Sequence, residues 1–446
     1  MQSPTVPAPS IRRVLDVDAI RGFALLGIFA VNITFMASGY PGNLVTDPAF
    51  GSALDDAVRT FSSVFVDMKF YVLFSFLFGY SFTLQMQAAS RAGTAFTPRL
   101  LRRIGGLFAL GALHIVLLYG GDVLTTYAVA CLVLLLLRQV RDRTAIRIAV
   151  ALYALVLLSL LASAFLVDRS TFVPDEAEAL ANGARATQAL LGGWEANIGE
   201  HFAGLPLLVL QAVTVQGPTA LGLFLFGMVA GRRQWLGRVT GNEPVLRRIQ
   251  WIGFPVGLLG AIVYATSGGN GNTLGVAASV ATAPLLTAAY VATLLRIMHR
   301  PGTAVVRTAL APAGRMALTN YLGQSVAGLI IFTGIGFGFA GRFSPLGLLG
   351  LALAVFAVQV LLSALWLRRF RYGPVEWLLR WLTNASRPAF VAPPADSRTV
   401  EVAGQSSSSG PTSDGLPATR PQPAARTAPP AVPPGPDDVA GTRRRA

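Results

Sequence analysis

The chain has 446 residues, of which 53% are hydrophobic and only 13% are charged. Ordinary soluble domains carry about 25% charged residues, so this composition excludes a soluble enzyme of two or three domains. The 36 basic residues, 35 Arg and the single Lys69, outnumber 21 acidic residues and give a net charge of +15. Such an excess is typical of nucleic-acid-binding proteins and of membrane proteins with Arg-rich cytoplasmic loops, and the positions of the charges distinguish the two.

Ten apolar stretches along the chain are long enough, at about 18 residues, to cross a hydrocarbon core as helices. A membrane-spanning β-barrel would instead show alternating segments of about ten residues. The predicted fold is therefore all-α, a polytopic integral membrane protein with about ten transmembrane helices. The predicted spans are residues 20–38, 62–86, 104–119, 122–138, 146–167, 205–230, 250–268, 272–295, 316–335 and 345–367.

The loops between these spans differ sharply in charge. If the N-terminus is cytoplasmic, the four internal loops carry 17 Arg and the five external loops carry four. This alternation follows the positive-inside rule, so both termini are predicted in the cytoplasm and the protein in the cytoplasmic (inner) membrane. A nucleic-acid footprint would cluster on one element, so no nucleic-acid partner is expected. Charges at Asp16, Asp18 and Arg21 interrupt the start of the first span, which favours a retained anchor over a cleaved signal peptide.

The predicted organisation has four parts. Residues 1–19 form a cytoplasmic N-terminus, 20–240 an N-terminal transmembrane half with six helices, and 241–387 a C-terminal transmembrane domain with four. Residues 388–446 hold 12 of the 28 prolines and are predicted to be a disordered cytoplasmic tail. The longest external connection, 168–204, is acidic and is interpreted as a solvated cap, with a short surface helix as a further option.

Polar residues at membrane depth are the first functional candidates, because a charge there costs about 2.5–3.5 kcal/mol on insertion scales. Six of them fall in the outer half of the first four helices. Polar residues with purely structural roles would be spread over all depths, so this clustering favours a functional site. The six are Asn32, Asp67, Lys69, His114, Asp122 and Tyr127. Asp67 and Tyr71 share a predicted helical face. Salt bridges and helix packing are the structural alternatives for these residues.

His114 and Asp122 lie close in sequence and suit acid–base chemistry. Histidine titrates near neutrality, and a nearby carboxylate orients its ring and stabilises the imidazolium. One cysteine, Cys131, and three scattered histidines do not form the pattern of a metal site, so no metal is predicted.

The inner half carries a second polar group. Gln216-Gly-Pro218 predicts a kink beside a cavity. The ninth span begins with polar residues that are dense for a membrane helix, namely Thr319, Asn320, Tyr321, Gln324 and Ser325. Arg21, Arg232 and Arg315 lie at the cytoplasmic side, where a phosphate can bind. Anchoring by the positive-inside rule is the alternative role of these arginines.

Several motifs, in order over about residues 12–385, resemble the YeiB-like bacterial membrane proteins. The C-terminal motifs resemble that family's domain of unknown function 418. The motifs are Asp18-x-x-Arg21-Gly22…Val31-Asn32, Lys69-Phe…Phe78-Gly79, Gly121-Asp122…Tyr127, Gly217-Pro218…Gly231-Arg232, Gly314-Arg315…Asn320-Tyr321…Gln324-Ser325 and Phe370…Pro374-Val-Glu376-Trp377.

The first motif is also similar to that of heparan-alpha-glucosaminide N-acetyltransferase. That resemblance implies a transmembrane acyltransferase that takes an acyl group from cytosolic acyl-CoA and passes it across the membrane. It also implies that Asn32 positions the reacting groups. The family's catalytic His follows that Asn by about eleven residues, and here that position is Asn43. His114 is the intramembrane histidine left to act as the base.

The leading hypothesis is therefore an acyl-CoA-dependent transmembrane acyltransferase with His114, Asn32, Asp122 and Asp67 as catalytic residues. Its predicted substrate-binding residues are Arg21, Lys69, Tyr71, Tyr127, Arg232, Arg315, Asn320, Tyr321 and Gln324. A transporter or permease of a small solute is the alternative, and a membrane scaffold is a third. The lipid bilayer and a small-molecule acceptor or solute are the expected partners, and the oligomeric state stays open.

Overall fold

The computed structural model describes residues 11–40, 45–167, 175–239 and 241–391, with side chains from residue 15 onward. Within these ranges the regular secondary structure is helical, apart from one isolated antiparallel bridge between Phe370 and Val391. The helices are α1 (Ile11–Ala37), α2 (Ala53–Phe65), α3 (Lys69–Arg91), α4 (Phe96–Leu117), α5 (Leu124–Leu136), α6 (Asp142–Leu166), α7 (Glu176–Leu190), α8 (Trp194–Gln211), α9 (Gly217–Arg232), α10 (Trp235–Val239), α11 (Glu243–Thr266), α12 (Thr273–His299), α13 (Ala304–Arg315), α14 (Ala317–Phe332), α15 (Pro345–Arg369) and α16 (Pro374–Asn384).

The predicted all-α, multi-pass membrane architecture is confirmed. Eight segments in the described ranges are long and apolar enough to cross a membrane, and α5 and α14 are shorter apolar helices. Each of the ten predicted stretches coincides with one of these segments. The predicted orientation, with both termini in the cytoplasm, stays a prediction, and the tail from residue 392 lies outside the described residues.

The second predicted span, 62–86, is interrupted in the structure. The Ser62 carbonyl accepts the N–H groups of both Val66 and Asp67 and ends α2, and Met68 then adopts a left-handed φ of 67°. The Lys69 ammonium donates to the Ser63 carbonyl at 2.8 Å. It thereby satisfies a carbonyl group that has no partner within α2, because it lies at the end of that helix. Asp67 therefore lies in the break between two helices, and its expected common helical face with Tyr71 is wrong.

The long connection before the sixth span is also more structured than expected. Residues 176–190 form α7, and α8 begins at Trp194, about ten residues before the predicted span. A π-helical segment, Ala212–Gln216, precedes α9 at the position of the predicted kink. The N–H of Gly39 donates to Thr187 Oγ1 at 3.0 Å, which fastens α7 to the end of α1.

The first helix is the central element of the bundle, and its closest neighbour is α13. A Cβ atom on Gly314 would lie 1.8 Å from the Asp18 carbonyl oxygen, and one on Gly22 would lie 2.4 Å from the Leu310 carbonyl oxygen. Only glycine permits backbones to approach this closely. This crossing brings the end of α13, with Arg315, beside Asp18 and Arg21.

The helices alternate in direction, so the Arg-rich connections meet at one end of the molecule, here called the basic end. Arg232 donates to the Val140 carbonyl at 2.9 Å and to the Arg138 carbonyl, which joins the end of α9 to the connection before α6. Arg296 pairs with Glu243 at 2.6 Å, which joins α12 to α11. The opposite end carries α2 and α7.

Candidate functional site

Three buried side chains, on α4, in the connection before α5 and on α14, lie in a row that is here called the relay, with an ion-pair contact on one side of the imidazole and a hydrogen bond on the other. His114 Nδ1 lies 3.0 Å from Asp122 Oδ1, and both side chains are fully buried. His114 Nε2 lies 2.8 Å from the hydroxyl oxygen of Ser325 on α14. The Asp122 carboxylate favours the tautomer with hydrogen on Nδ1, which leaves Nε2 to accept the Ser325 hydroxyl proton.

Local structure holds Asp122 in place. Its Oδ2 accepts the Thr125 N–H at 2.8 Å and the Thr125 hydroxyl at 3.0 Å, which caps the start of α5. Oδ1 is then left to face His114. Gly111 on α4 provides the space, because a Cβ there would lie 2.8 Å from Asp122 Oδ2.

Aromatic rings cover the relay. The His114 ring centroid lies 5.2 Å from that of Tyr321 and 6.1 Å from that of Tyr119. Ser325 and His114 are each 1% exposed, so the relay is dry in this conformation. Electrostatic interactions are stronger in such a low-dielectric site.

Asn32 lies on α1, half-buried, and its side chain makes no hydrogen bond to any residue that the structure describes. It follows Leu25 by two turns and so shares its helical face. Leu25 packs with Leu124 and Tyr321, so this face is directed towards the helices that carry the relay. Asn43, at the position of the related family's catalytic His, lies outside the described residues.

Asp67 and Lys69 belong to a second polar region, at the break between α2 and α3. Asp67 accepts a hydrogen bond from Ser63 Oγ at 3.2 Å, and it lines a cavity of about 80 Å³ together with Arg59. Lys69 is 1% exposed and is directed at the Ser63 carbonyl. The Thr287 hydroxyl donates to the Lys69 carbonyl at 3.0 Å, so α12 fixes this break.

Two of the three tyrosines predicted to bind substrate hold helices together in this conformation. Tyr71 donates to the Gln216 carbonyl at 2.5 Å, which joins α3 to the π-helical segment. Tyr127 is in hydrogen-bond contact with Ser75 at 2.6 Å and packs edge-on against Phe224.

The polar residues of α14 divide between two faces. Tyr321 and Ser325 face the relay, whereas Asn320 and Gln324 face α15. The Gln324 amide donates to Gln359 Oε1 at 3.0 Å, and the Asn320 amide donates to Ser363 Oγ at 3.0 Å. This network lies along a groove of about 850 Å³ between α14 and α15, whose lining includes Asn320, Gln359 and Ser363.

The arginines proposed for phosphate binding have different surroundings. Arg232 binds carbonyls and lies 3.1 Å from Asp142 Oδ1, so its donors are occupied. Arg21 pairs with Asp18 at 2.6 Å and donates to Ser81 at 2.7 Å. Arg315 is exposed, and it interacts electrostatically with Asp18.

Comparison with known proteins finds relatives that match most of the chain. The uncharacterised protein YxaH of Bacillus subtilis is 30% identical over 400 residues, which cover 85% of this chain and 96% of YxaH. The chain belongs to the YeiB-like family. The uncharacterised YeiB of Escherichia coli is 29% identical over 85% of this chain and 98% of YeiB. Residues 230–386 match the family described as "Protein of unknown function (DUF418)".

Two residues of this YeiB-like protein matter more than the sequence indicated. Ser325 was only one of several polar residues on α14, yet its hydroxyl is in hydrogen-bond contact with His114. Glu376 on α16 accepts the N–H groups of Leu318 and Thr319 at 2.7 and 3.0 Å and so caps α14. No pattern in the sequence singled out Ser325 from the other polar residues of α14.

Proposed function

We propose that this YeiB-like protein is a transmembrane acyltransferase that moves an acyl group from acyl-CoA to an acceptor at the opposite end of the bundle. The observation that carries the proposal is the Asp122–His114–Ser325 relay. A carboxylate, an imidazole and a hydroxyl connected in this order form the arrangement that activates a serine for acyl transfer on unrelated folds. Helix packing alone does not require this order.

In the first step Ser325 Oγ attacks the thioester carbonyl of acyl-CoA, and its proton passes to His114 Nε2. The carbon–sulfur bond then breaks, and His114 returns the proton to the departing thiolate of CoA. The products are an acyl ester on Ser325 and free CoA. Asp122 holds the ring and stabilises the imidazolium throughout.

In the second step a hydroxyl or amine of the acceptor attacks the ester carbonyl and gives its proton to His114. The bond to Ser325 Oγ breaks, and Oγ takes the proton back. The Asn32 amide supplies a donor for the developing oxyanion. Its lack of a hydrogen bond to any described residue, and its place on the helical face directed at the relay, support this role.

The test is CoA release by the purified full chain in lipid nanodiscs, with acetyl-CoA and palmitoyl-CoA as the probes. The wild-type protein releases CoA, and Asp122→Asn lowers the rate by about 10³–10⁴-fold, because the amide no longer holds the productive tautomer. Glu195→Gln, at an exposed position of α8, is the matched control and keeps the wild-type rate. Equal rates in wild type and Asp122→Asn would contradict the proposal.

A further inference from the structure

The groove between α14 and α15 has two walls, and each wall is one face of a helix. The α15 wall repeats at helical spacing and consists of Ala354, Val358, Leu362, Leu365 and Arg369. The α14 wall includes Asn320, Gly323 and Ala327, which also follow one another at helical spacing. The volume of about 850 Å³ lies within the range of about 300–1,000 Å³ that is typical of sites for small molecules.

The floor of the groove is made of amides that are bonded to protein groups. Gln359 Nε2 donates to the Asn320 carbonyl at 2.9 Å, and the Asn320 amide donates to Ser363 Oγ at 3.0 Å. A Cβ atom on Gly323 would meet only Gln359 Nε2, at 3.4 Å, so the space above the floor is open. Since the polar groups of the floor bond to one another and the walls are mostly apolar, the groove suits a hydrocarbon chain better than a polar solute.

The length of the groove matches one leaflet of a membrane. Ala354 and Arg369 are fifteen residues apart on α15, which is about 22 Å along the helix axis. A hydrocarbon core is about 30 Å thick, so the groove runs from the headgroup level at the basic end past the middle of the membrane. The rings of Trp366 and Phe370, with centroids 4.2 Å apart, line the groove beside Arg369 and are typical of the membrane interface.

Arg369 gives the mouth of the groove a positive charge. It is exposed, and among the described residues it forms no hydrogen bond and no ion pair. The described residues that line the groove include no acidic side chain. Glu376 lies nearby, but its Oε1 accepts the N–H groups of Leu318 and Thr319 at the start of α14. The guanidinium of Arg369 is therefore available to an anion.

We propose that this groove binds one acyl chain of an anionic phospholipid from the leaflet at the basic end, with the lipid phosphate on Arg369. Phosphate oxygens match the planar donor fork of arginine. The exposed Arg368 and Arg371 add positive charge beside Arg369, so they repel the cationic group of a zwitterionic headgroup. The site is independent of the proposed acyl transfer, because Tyr321 and Ser325 face the relay rather than the groove.

The headgroup part is tested by native mass spectrometry of the full chain released from nanodiscs of equal phosphatidylglycerol and phosphatidylcholine. The wild-type protein is expected to retain phosphatidylglycerol in preference to phosphatidylcholine. Arg369→Gln is expected to lower that preference about tenfold, because charge-assisted hydrogen bonds to the phosphate are lost. The matched control is Arg368→Gln, at an exposed position that does not line the groove, and it is expected to stay within about twofold of wild type. Equal preferences in the two variants would overturn the headgroup site.

The acyl-chain part is tested by filling the groove. Gly323→Leu places a side chain in the open space above Gln359, so it is expected to lower the retention of both lipids at least severalfold. Leu362→Trp fills the opposite wall at a position that is 57% exposed, and it serves if Gly323→Leu does not fold. Gly350→Leu is the control on α15, because it is exposed, lies outside the groove and has no atom within 4 Å of an added Cβ. Wild-type retention in both groove variants would overturn the proposal.

A second copy of the chain is the other occupant that the same experiment recognises. In a Cys131→Ala background, Val358→Cys places a thiol on the α15 wall at a position that is 54% exposed. Oxidation in the same discs is expected to leave the chain monomeric while phosphatidylglycerol stays bound. Chains joined through the thiols of Val358→Cys, without retained lipid, would show that a second copy covers the groove and would overturn the lipid site.

Discussion

At the scale of single residues, contacts between residues close together in the chain could be predicted, whereas contacts between distant residues could not. His114 and Asp122 are eight residues apart across one turn, so their pairing follows from the chain itself. Ser325 lies 211 residues beyond His114 and joins it only when α14 packs into the bundle. A single sequence carries no signal for a contact of that separation.

Lys69 shows the same limit. Its charge at membrane depth indicated a functional cavity, but its ammonium satisfies the Ser63 carbonyl at the end of α2. A carbonyl at a helix end needs a donor from outside the helix. The sequence does not show that α2 ends near Ser63, because that end depends on the break at Met68.

The structural role of Lys69 predicts the effect of Lys69→Met. The variant leaves the buried Ser63 carbonyl without its charged donor, so the free energy of unfolding should fall by about 1–3 kcal/mol. Thermal unfolding in detergent measures this, with Arg91→Met at an exposed position as the control. Unchanged stability combined with lost CoA release would place Lys69 in the substrate site instead.

At the scale of elements, hydrophobic runs located the membrane helices well because length and apolarity are properties of the local sequence. Their interruptions were harder to locate. The Pro218 motif marked the π-helical segment before α9, whereas nothing but backbone geometry marks the left-handed Met68. α7 lies in the acidic connection, where a short surface helix was considered but could not be located, because an acidic stretch with few apolar residues does not show a membrane helix.

The close crossing of α1 and α13 predicts that Gly314→Ala is strongly destabilising. The new Cβ would lie 1.8 Å from the Asp18 carbonyl oxygen, so the two backbones must separate, at a cost of about 1–3 kcal/mol or more. Gly105→Ala is the matched control, because no atom lies within 4 Å of its added Cβ. Thermal unfolding of the two variants checks this, and equal midpoints would show that the crossing is looser than described.

At the scale of the whole molecule, two polar regions lie on either side of an apolar cluster. Leu25 lies one turn from Arg21, and Tyr321 lies one turn from Ser325. Leu25 and Tyr321 pack on each other together with Leu124 and Phe356. The cluster therefore separates Arg21, at the basic end, from the relay.

The charge pattern of the loops predicts the orientation of this arrangement. Gly51, near α2, and Gly241, at the basic end, are exposed, and no atom lies within 4 Å of an added Cβ at either position. In a Cys131→Ala background, a membrane-impermeant maleimide should label Gly51→Cys in intact cells and Gly241→Cys only after permeabilisation. The reverse pattern would invert the predicted topology.

The central claim is that the Asp122–His114–Ser325 relay transfers an acyl group through Ser325. The most direct measurement is the mass of the purified protein after mixing with acetyl-CoA or palmitoyl-CoA, followed by peptide mapping. We expect one acyl group per chain on Ser325 that hydroxylamine removes, and no modification in Ser325→Ala or His114→Gln. An acyl group on another residue, or CoA release by wild type and Ser325→Ala alike, would contradict the claim.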